Sequence, residues 1–294
     1  MRLPDVVIAG APRCGTTALF AWLVAHPQVC GTAAKETRYL MDASSPLLPA
    51  RNVHNAGLDG YARLFAHCPA GLTAVEATPD YLYQQTPVRM LASLKPIPHV
   101  VIVLRRPSTR LYSFYQYARN NMALLPREVT FAEYLRRIRD PQDTTLDGLG
   151  TLRHQLGYGR YADYLVPWLE AFPPERISVF LFEHLVDDPL RELEALSRRI
   201  GVDPAFYATY RFERINPSYE VRSQRLQRFR KAAARVTPGG SLKRGLRSLY
   251  ERVLTRRLAE SSAEPEQLAE LDADYREANR RLAALLNIDL QAWK

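Results

Sequence analysis

The residues best suited to chemistry come early, in Gly10-Ala11-Pro12-Arg13-Cys14-Gly15-Thr16-Thr17-Ala18. Glycine at 10 and 15 allows a tight turn and close approach of the backbone to a ligand. Leu19, Phe20, Trp22 and Leu23 then take up helical spacing. The N–H groups of residues 15–18 therefore stand at a helix N-terminus, where unpaired donors and the helix dipole attract an anion. Arg13 is the only cation of the loop, and Thr16 and Thr17 add hydroxyl donors. The chemistry this predicts is the cradling of a phosphate-like group by Arg13, Cys14, Gly15, Thr16, Thr17 and Ala18. Cys14 reads as a small loop filler rather than a reactive thiol.

A second polar set follows the apolar run His99-Val100-Val101-Ile102-Val103-Leu104. Arg105 and Arg106 close that run, Pro107 opens a helix, and Ser113 lies two turns into it. A phosphotransferase working with Mg²⁺ usually carries an acid after such a strand. Two arginines there repel a metal and attract a second anionic group. Glu76, after Thr73-Ala74-Val75, is the one acid placed to hold a metal instead. Gly10 and Gly15 match the glycines of the P-loop pattern G-x-x-x-x-G-K-[ST], but Thr16 stands where its lysine should be. Such a loop is not built for ATP and Mg²⁺. The expected ligand has two separate anionic groups, with no metal.

The elements that must hold these residues alternate between strand and helix. Strands are predicted at 5–10, 73–75, 99–104 and 177–182, with a short apolar stretch at Val29-Cys30. Helices are predicted at 16–26, 58–66, 86–94, from Pro107 to about Asn120, and at 129–138, 160–171 and 189–200. The 99–104 run is apolar throughout, as a parallel strand covered on both faces should be. The expected fold is α/β: a three-layer, P-loop-type architecture with a mainly parallel central sheet of about five strands, plus an α-helical C-terminal region. Ligands of such sheets bind at the carboxyl ends of the strands, where both the 10–17 loop and Arg105 would lie. Residues 1–205 read as the core, and 206–294 as a helical extension packed on it within a single-domain protein.

After about residue 205 no further strand is expected. Twelve Arg and Lys residues between Arg222 and Arg257 face one acid, Glu251, and Pro238-Gly239-Gly240 divides this segment into two helices. A last helix runs from Pro265 to Leu286. The segment has few aromatics for base stacking, which argues against nucleic acid. Contact with an anionic membrane surface through 222–257 is the alternative role. The formal net charge of +9 suits anionic ligands generally.

Among the 294 residues are three cysteines, Cys14, Cys30 and Cys68, which form neither an even set nor a metal pattern. A reducing cytoplasm is the expected compartment. Pro4 and Asp5 follow the start too closely for a signal peptide, and no apolar run approaches the roughly 20 residues of a membrane span. The six histidines are scattered and read as structural. Tyr112, Phe114, Tyr115 and Tyr117 read as helix packing, whereas Tyr81 and Tyr83 are candidates to line an acceptor cleft.

At this point the sequence resembles the 3′-phosphoadenosine 5′-phosphosulfate-dependent sulfotransferases, in particular the glycosaminoglycan (heparan sulfate) type and its bacterial relatives. The 11–19 loop matches the family's 5′-phosphosulfate loop, and Arg105 with Ser113 matches its 3′-phosphate pair. His26-Pro27, Lys35-Glu36 with Tyr39, Glu76-Ala77-Thr78-Pro79 with Tyr81, and Phe182-Glu183 before Asp188-Pro189 fall in family order. The resemblance covers roughly 5–200. It implies sulfuryl transfer to a hydroxyl or amine of a carbohydrate or glycan-like acceptor, with Glu36 as base and Arg13 stabilising the leaving phosphate. It suggests Asn216, Ser218 and Arg222 near the adenine. The sequence departs from the family in carrying Arg13 where lysine is usual, and Ala77 where the animal glycosaminoglycan enzymes carry lysine. The competing enzyme reading is a P-loop-type nucleotide kinase, and the non-enzymatic one is a basic membrane-surface or anion-binding module.

Overall fold

The computed structural model describes residues 1–212 and 264–293, together with the backbone of 219–221 and 255–257. Five strands form the main sheet: β1 (Val6–Gly10), β2 (Val29–Gly31), β3 (Thr73–Ala77), β4 (His99–Leu104) and β5 (Ile177–Leu181). All neighbours are parallel, in the order β2-β3-β1-β4-β5. Val6, Val7, Ile8 and Ala9 are at most 1% exposed, and every residue of β4 is buried. Continuous apolar strands of this kind need helices on both faces, since no side is left to water.

Strand order fixes where a ligand can enter. From β1 the chain crosses to the edge at β2 and returns through β3, then passes to the other side of β1 at β4. The crossover direction reverses at β1, so a crevice opens at its carboxyl end. The 11–15 loop leaves the sheet there and leads into α1 (Thr16–Val24), with Ala11 N–H donating to Val103 O at 2.8 Å.

The other helices are α2 (Val53–Ala62), α3 (Gln85–Ala92), α4 (Pro107–Tyr117), α5 (Phe131–Arg139), α6 (Tyr161–Ala171), α7 (Phe182–Asp187), α8 (Pro189–Ile200) and, near the end, α9 (Pro265–Leu286). Local chemistry sets several boundaries. Asn52 caps α2 by accepting from His54 N–H at 3.0 Å, Thr130 caps α5, and Asp188 caps α8 before Pro189.

The chain divides into two compact units. One contains the five-stranded sheet and comprises Met1–Pro107, Gly157–Ile215 and Tyr275–Lys294. The other comprises Ser108–Leu156 and Asn216–Asp274. Its interior is aromatic: Tyr112 and Tyr115 pack on Phe131 with ring centroids 5.0 and 5.3 Å apart. Arg110, fully buried there, donates to Gln155 Oε1 at 2.8 Å and to Gln155 O at 2.6 Å. Tyr112, Phe114 and Tyr115 are thus packing, as expected, whereas Tyr117 is exposed.

Four expectations need correction. The helix starting at Pro107 keeps regular geometry only to Tyr117, and Ala118–Met122 winds as a wider π-type turn that Ala123 closes at φ 53°. Ahead of the predicted helix at 58–66 the chain already winds from Val53, under an Asn52 cap that the periodicity did not register, and breaks at Gly57 (φ 56°) before the expected helix begins. A further strand pair does exist: β6 (Tyr219–Val221) runs antiparallel to β7 (Thr255–Arg257). Finally, Cys30 and Cys68 form a disulfide, Cα–Cα 5.7 Å, so the cysteines are not all unpaired. Chain spacing concealed this pair, since it joins β2 to the turn after α2 across 38 positions. Of the two helices expected in 222–257, the last three residues are instead β7 and the rest lie outside the described residues, as do Asn216, Ser218 and Arg222. Among the described residues, no helix is long and apolar enough to cross a membrane.

Candidate active site

The loop after β1 ends at Gly15, whose φ of 82° is a left-handed conformation that a side chain opposes. Space is the second constraint: a Cβ on Gly15 would lie 2.8 Å from the Phe182 ring. From this turn, Ala18 N–H donates back to Gly15 O at 2.9 Å and Leu19 N–H to the same oxygen at 3.1 Å. The Ala18 donor is therefore spent inside the turn. Helix geometry leaves those of Thr16 and Thr17 without an intrahelical acceptor. Thr16 is 4% exposed. Cys14 is buried, its Sγ 3.7 Å from Pro12 O and 3.8 Å from the Tyr161 hydroxyl. That is the surrounding of a filler.

Arg13 adopts φ 70°. Arg105, just beyond β4, spreads its guanidinium over the Phe182 ring at 4.5 Å from the centroid. Its Nη1 lies 3.5 Å from Arg13 O. Stacking on an aromatic face holds a guanidinium in place. One side chain, Phe182, thereby supports both the glycine turn and Arg105. Next to them, Arg106 N–H donates to Glu183 Oε1 at 3.1 Å. Ser113 lies on α4 in the other unit and is 8% exposed.

The second part of the site is the 35–38 segment after β2. Glu36 N–H donates to Ala77 O at 2.7 Å and Arg38 N–H to Thr78 Oγ1 at 3.2 Å, which lays the segment over the carboxyl end of β3. Glu36 and Arg38 both have positive φ, 66° and 54°. Non-glycine residues held this way concentrate at functional sites. The Glu36 carboxylate meets Lys35 Nζ at 2.8 Å and Arg38 Nη2 at 3.1 Å. Burial alone would raise its pKa, but Lys35, Arg38 and Arg13 together hold it below the ordinary carboxylate value. The structure thus brings Glu36 within the field of the loop cation Arg13.

Arg38 also reaches Asp80, Nε to Oδ2 3.7 Å. Burial pushes the Asp80 carboxyl up to about 6, with Arg38 pulling it down, Glu36 pushing it up and Lys35 pulling it down. No spacing rule relates residues 38 and 80, and the sequence reading missed this carboxylate.

Glu76 is fully buried and accepts hydroxyls from four residues. They are Thr37 and Tyr61, with Thr78 and Tyr81 each at 2.9 Å. Burial raises its pKa against the opposing pull of these four donors. Its oxygens are occupied, so Glu76 is a structural hub and not the metal-holding acid considered from the sequence. Tyr81 is correspondingly misplaced as a cleft residue: it is 0% exposed, and its hydroxyl also accepts Leu40 N–H at 3.0 Å. Tyr83 is stacked on Tyr158, centroids 3.8 Å apart. His26 is buried, its Nδ1 accepting Gln28 N–H at 3.0 Å and its Nε2 2.9 Å from Asp203 O, a structural role as expected.

Residues 3–227 match the family model described as sulfotransferase domain. The chain is 27% identical over 210 residues to bifunctional heparan sulfate N-deacetylase/N-sulfotransferase 3 of Homo sapiens, covering 70% of this chain and 23% of that protein. It is 29% identical over 216 residues to heparan sulfate glucosamine 3-O-sulfotransferase 6 of Mus musculus, covering 70% and 56%. The chain thus spans about a quarter of the first relative and just over half of the second. A crystal structure of a sulfotransferase from Alicyclobacillus acidocaldarius superposes with a TM-score of 0.70 at 21% identity, covering 100% of this chain and 99% of that one. That likeness is one of fold.

Proposed function

Since the chain belongs to the sulfotransferase domain family, we propose that it moves the sulfuryl group of 3′-phosphoadenosine 5′-phosphosulfate to a hydroxyl or amine of a carbohydrate or glycan-like acceptor. One observation carries the reading: the Glu36 N–H, bonded to Ala77 O at 2.7 Å, lays the 35–38 segment at the carboxyl end of β3, the parallel neighbour of the strand from which the 11–15 loop leaves. Arg13 and the N–H groups of Gly15, Thr16 and Thr17 receive the 5′-phosphosulfate, with Cys14 and Ala18 completing the loop. Arg105 and Ser113 take the 3′-phosphate. Glu36 accepts the proton as the acceptor oxygen or nitrogen bonds to sulfur, and Arg13 stabilises the charge growing on the leaving phosphate. Transfer of this kind depends mainly on alignment and charge stabilisation.

The proposal assigns no metal to the transfer step, so a chelator should leave turnover of the disulfide-closed protein unchanged. It includes a cytoplasmic setting, which has to accommodate the Cys30–Cys68 bond. Thiol alkylation in intact cells that finds both cysteines modified would support that setting. It treats 1–205 as the catalytic core and leaves membrane contact through 222–257 as a separate assignment. The deciding experiment is ligand stabilisation. Adenosine 3′,5′-bisphosphate should raise the melting temperature by mass action, and ATP with Mg²⁺ should do so far less, having no 3′-phosphate. Equal stabilisation by the two would favour the kinase reading and overturn this one.

A further inference from the structure

Three potential metal ligands converge at the edge of the sheet, remote in role from the loop and from Glu36. They are Cys30 on β2, and His67 and Cys68 in the turn after α2. Their donor atoms all lie within 4.8 Å of one another. His67 Nε2 is 3.8 Å from Cys68 Sγ and 3.0 Å from Gly31 O, so the ring already lies against the sulfur pair and the β2 backbone. His67 is exposed, which gives an ion a path from solvent. In the structure the two sulfurs are bonded to each other and offer no thiolate.

We propose that Cys30, His67 and Cys68 form a zinc site in the reduced protein, so that this corner of the fold is closed either by a disulfide or by Zn²⁺. A dithiol reductant supplies two electrons and two protons, breaks the S–S bond and leaves two thiols. Zinc then binds both sulfurs as thiolates and releases the two protons. The His67 ring gives up its bond to Gly31 O and brings its nitrogen to the metal, and water takes the fourth position. Two thiolates and an imidazole suit zinc and not the oxygen-preferring Mg²⁺ or Ca²⁺. In a tetrahedral site with Zn–S near 2.3 Å the sulfurs stand about 3.8 Å apart. Side-chain rotation supplies this widening at the observed Cα–Cα separation of 5.7 Å.

The test uses the full chain, reduced with a phosphine that does not bind zinc and then desalted without oxygen. Zn²⁺ is titrated against a chromophoric chelator, and Co²⁺ is added in a parallel sample to read thiolate charge-transfer absorption. The reduced protein should take up one equivalent, and the oxidised protein none. Cys30→Ser and His67→Ala should each weaken binding by more than the roughly 10–100-fold typical of losing an outer partner of a metal ligand. Cys14→Ser should bind as the parent does. His67 is exposed, so its variant keeps the test valid even where Cys30→Ser folds poorly. Absence of stoichiometric zinc in the reduced chain would overturn the proposal, as would unchanged affinity in His67→Ala. Either result leaves the cysteine pair a structural disulfide only.

Discussion

Glu36 and Asp80 meet the same guanidinium, yet the fold treats them oppositely. Glu36 is held below the ordinary carboxylate value because Lys35, Arg38 and Arg13 outweigh its burial. It is therefore ionised and ready to accept a proton at neutral pH, although its basicity is reduced. Glu36→Gln should lower kcat by about 10²–10⁴-fold, the range for general-base catalysis, while affinity for adenosine 3′,5′-bisphosphate, measured by calorimetry, stays near the parent value. Near-full turnover with a true acceptor would make Glu36 only an ion-pair partner of Lys35 and Arg38. Asp80 is pushed the other way, from 3.8 to about 6. A carboxyl with a raised folded pKa contributes stability that is complete below its unfolded value and is lost as pH rises through the folded one. Between pH 4 and 7 the parent should therefore lose up to about 3 kcal/mol relative to Asp80→Asn, read as the difference in unfolding free energy across that window. A flat difference would show that Arg38 already compensates Asp80.

Glu76 is the knot between elements. Its four hydroxyl donors come from the 35–38 segment, α2, the end of β3 and the turn beyond it. Each buried hydroxyl left without an acceptor costs about 1–3 kcal/mol. Glu76→Ala should therefore destabilise the protein by at least about 3 kcal/mol in denaturant titration. Glu76→Gln, which keeps one acceptor oxygen, should cost less. A loss under about 1 kcal/mol for the alanine variant would mean that the hydroxyls find other partners. The hub also marks the limit of what the sequence revealed. The glycine loop, the apolar 99–104 strand and most helix positions were legible, because period and turn chemistry are local properties. The hub was not, because Thr37, Tyr61, Thr78 and Tyr81 are ordinary residues until β3 and α2 bring their hydroxyls onto one carboxylate. Asp80 escaped for the same reason.

Across the chain, the covalent link between Cys30 and Cys68 closes 38 positions, including all of α2. Loop-closure entropy gives such a link about 4 kcal/mol of stability. Reduction with a chelator present should therefore lower the melting temperature by several degrees, and adding Zn²⁺ to that sample should restore part of the loss. An unchanged melting temperature on reduction would mean that the sheet edge holds without the bond. The reading of the cysteines failed at this scale because pairing depends on parallel registry: Cys30 lies opposite Ala74 of β3. That registry is invisible until the strand order is known.

Phe182 touches two things at once, and this sets an order on how the site can drift. Its ring lies 2.8 Å from where a Cβ on Gly15 would be and 4.5 Å under the Arg105 guanidinium. A lineage that first shrinks position 182 gains room beside Gly15, but the φ of 82° still discourages any side chain there. A lineage that first changes position 15 meets both obstacles together. Position 182 can therefore explore other apolar residues so long as Arg105 keeps a surface to rest on, while position 15 stays closed by two independent locks. Comparison of natural descendants of this chain should show variation at 182 without variation at 15, and not the reverse.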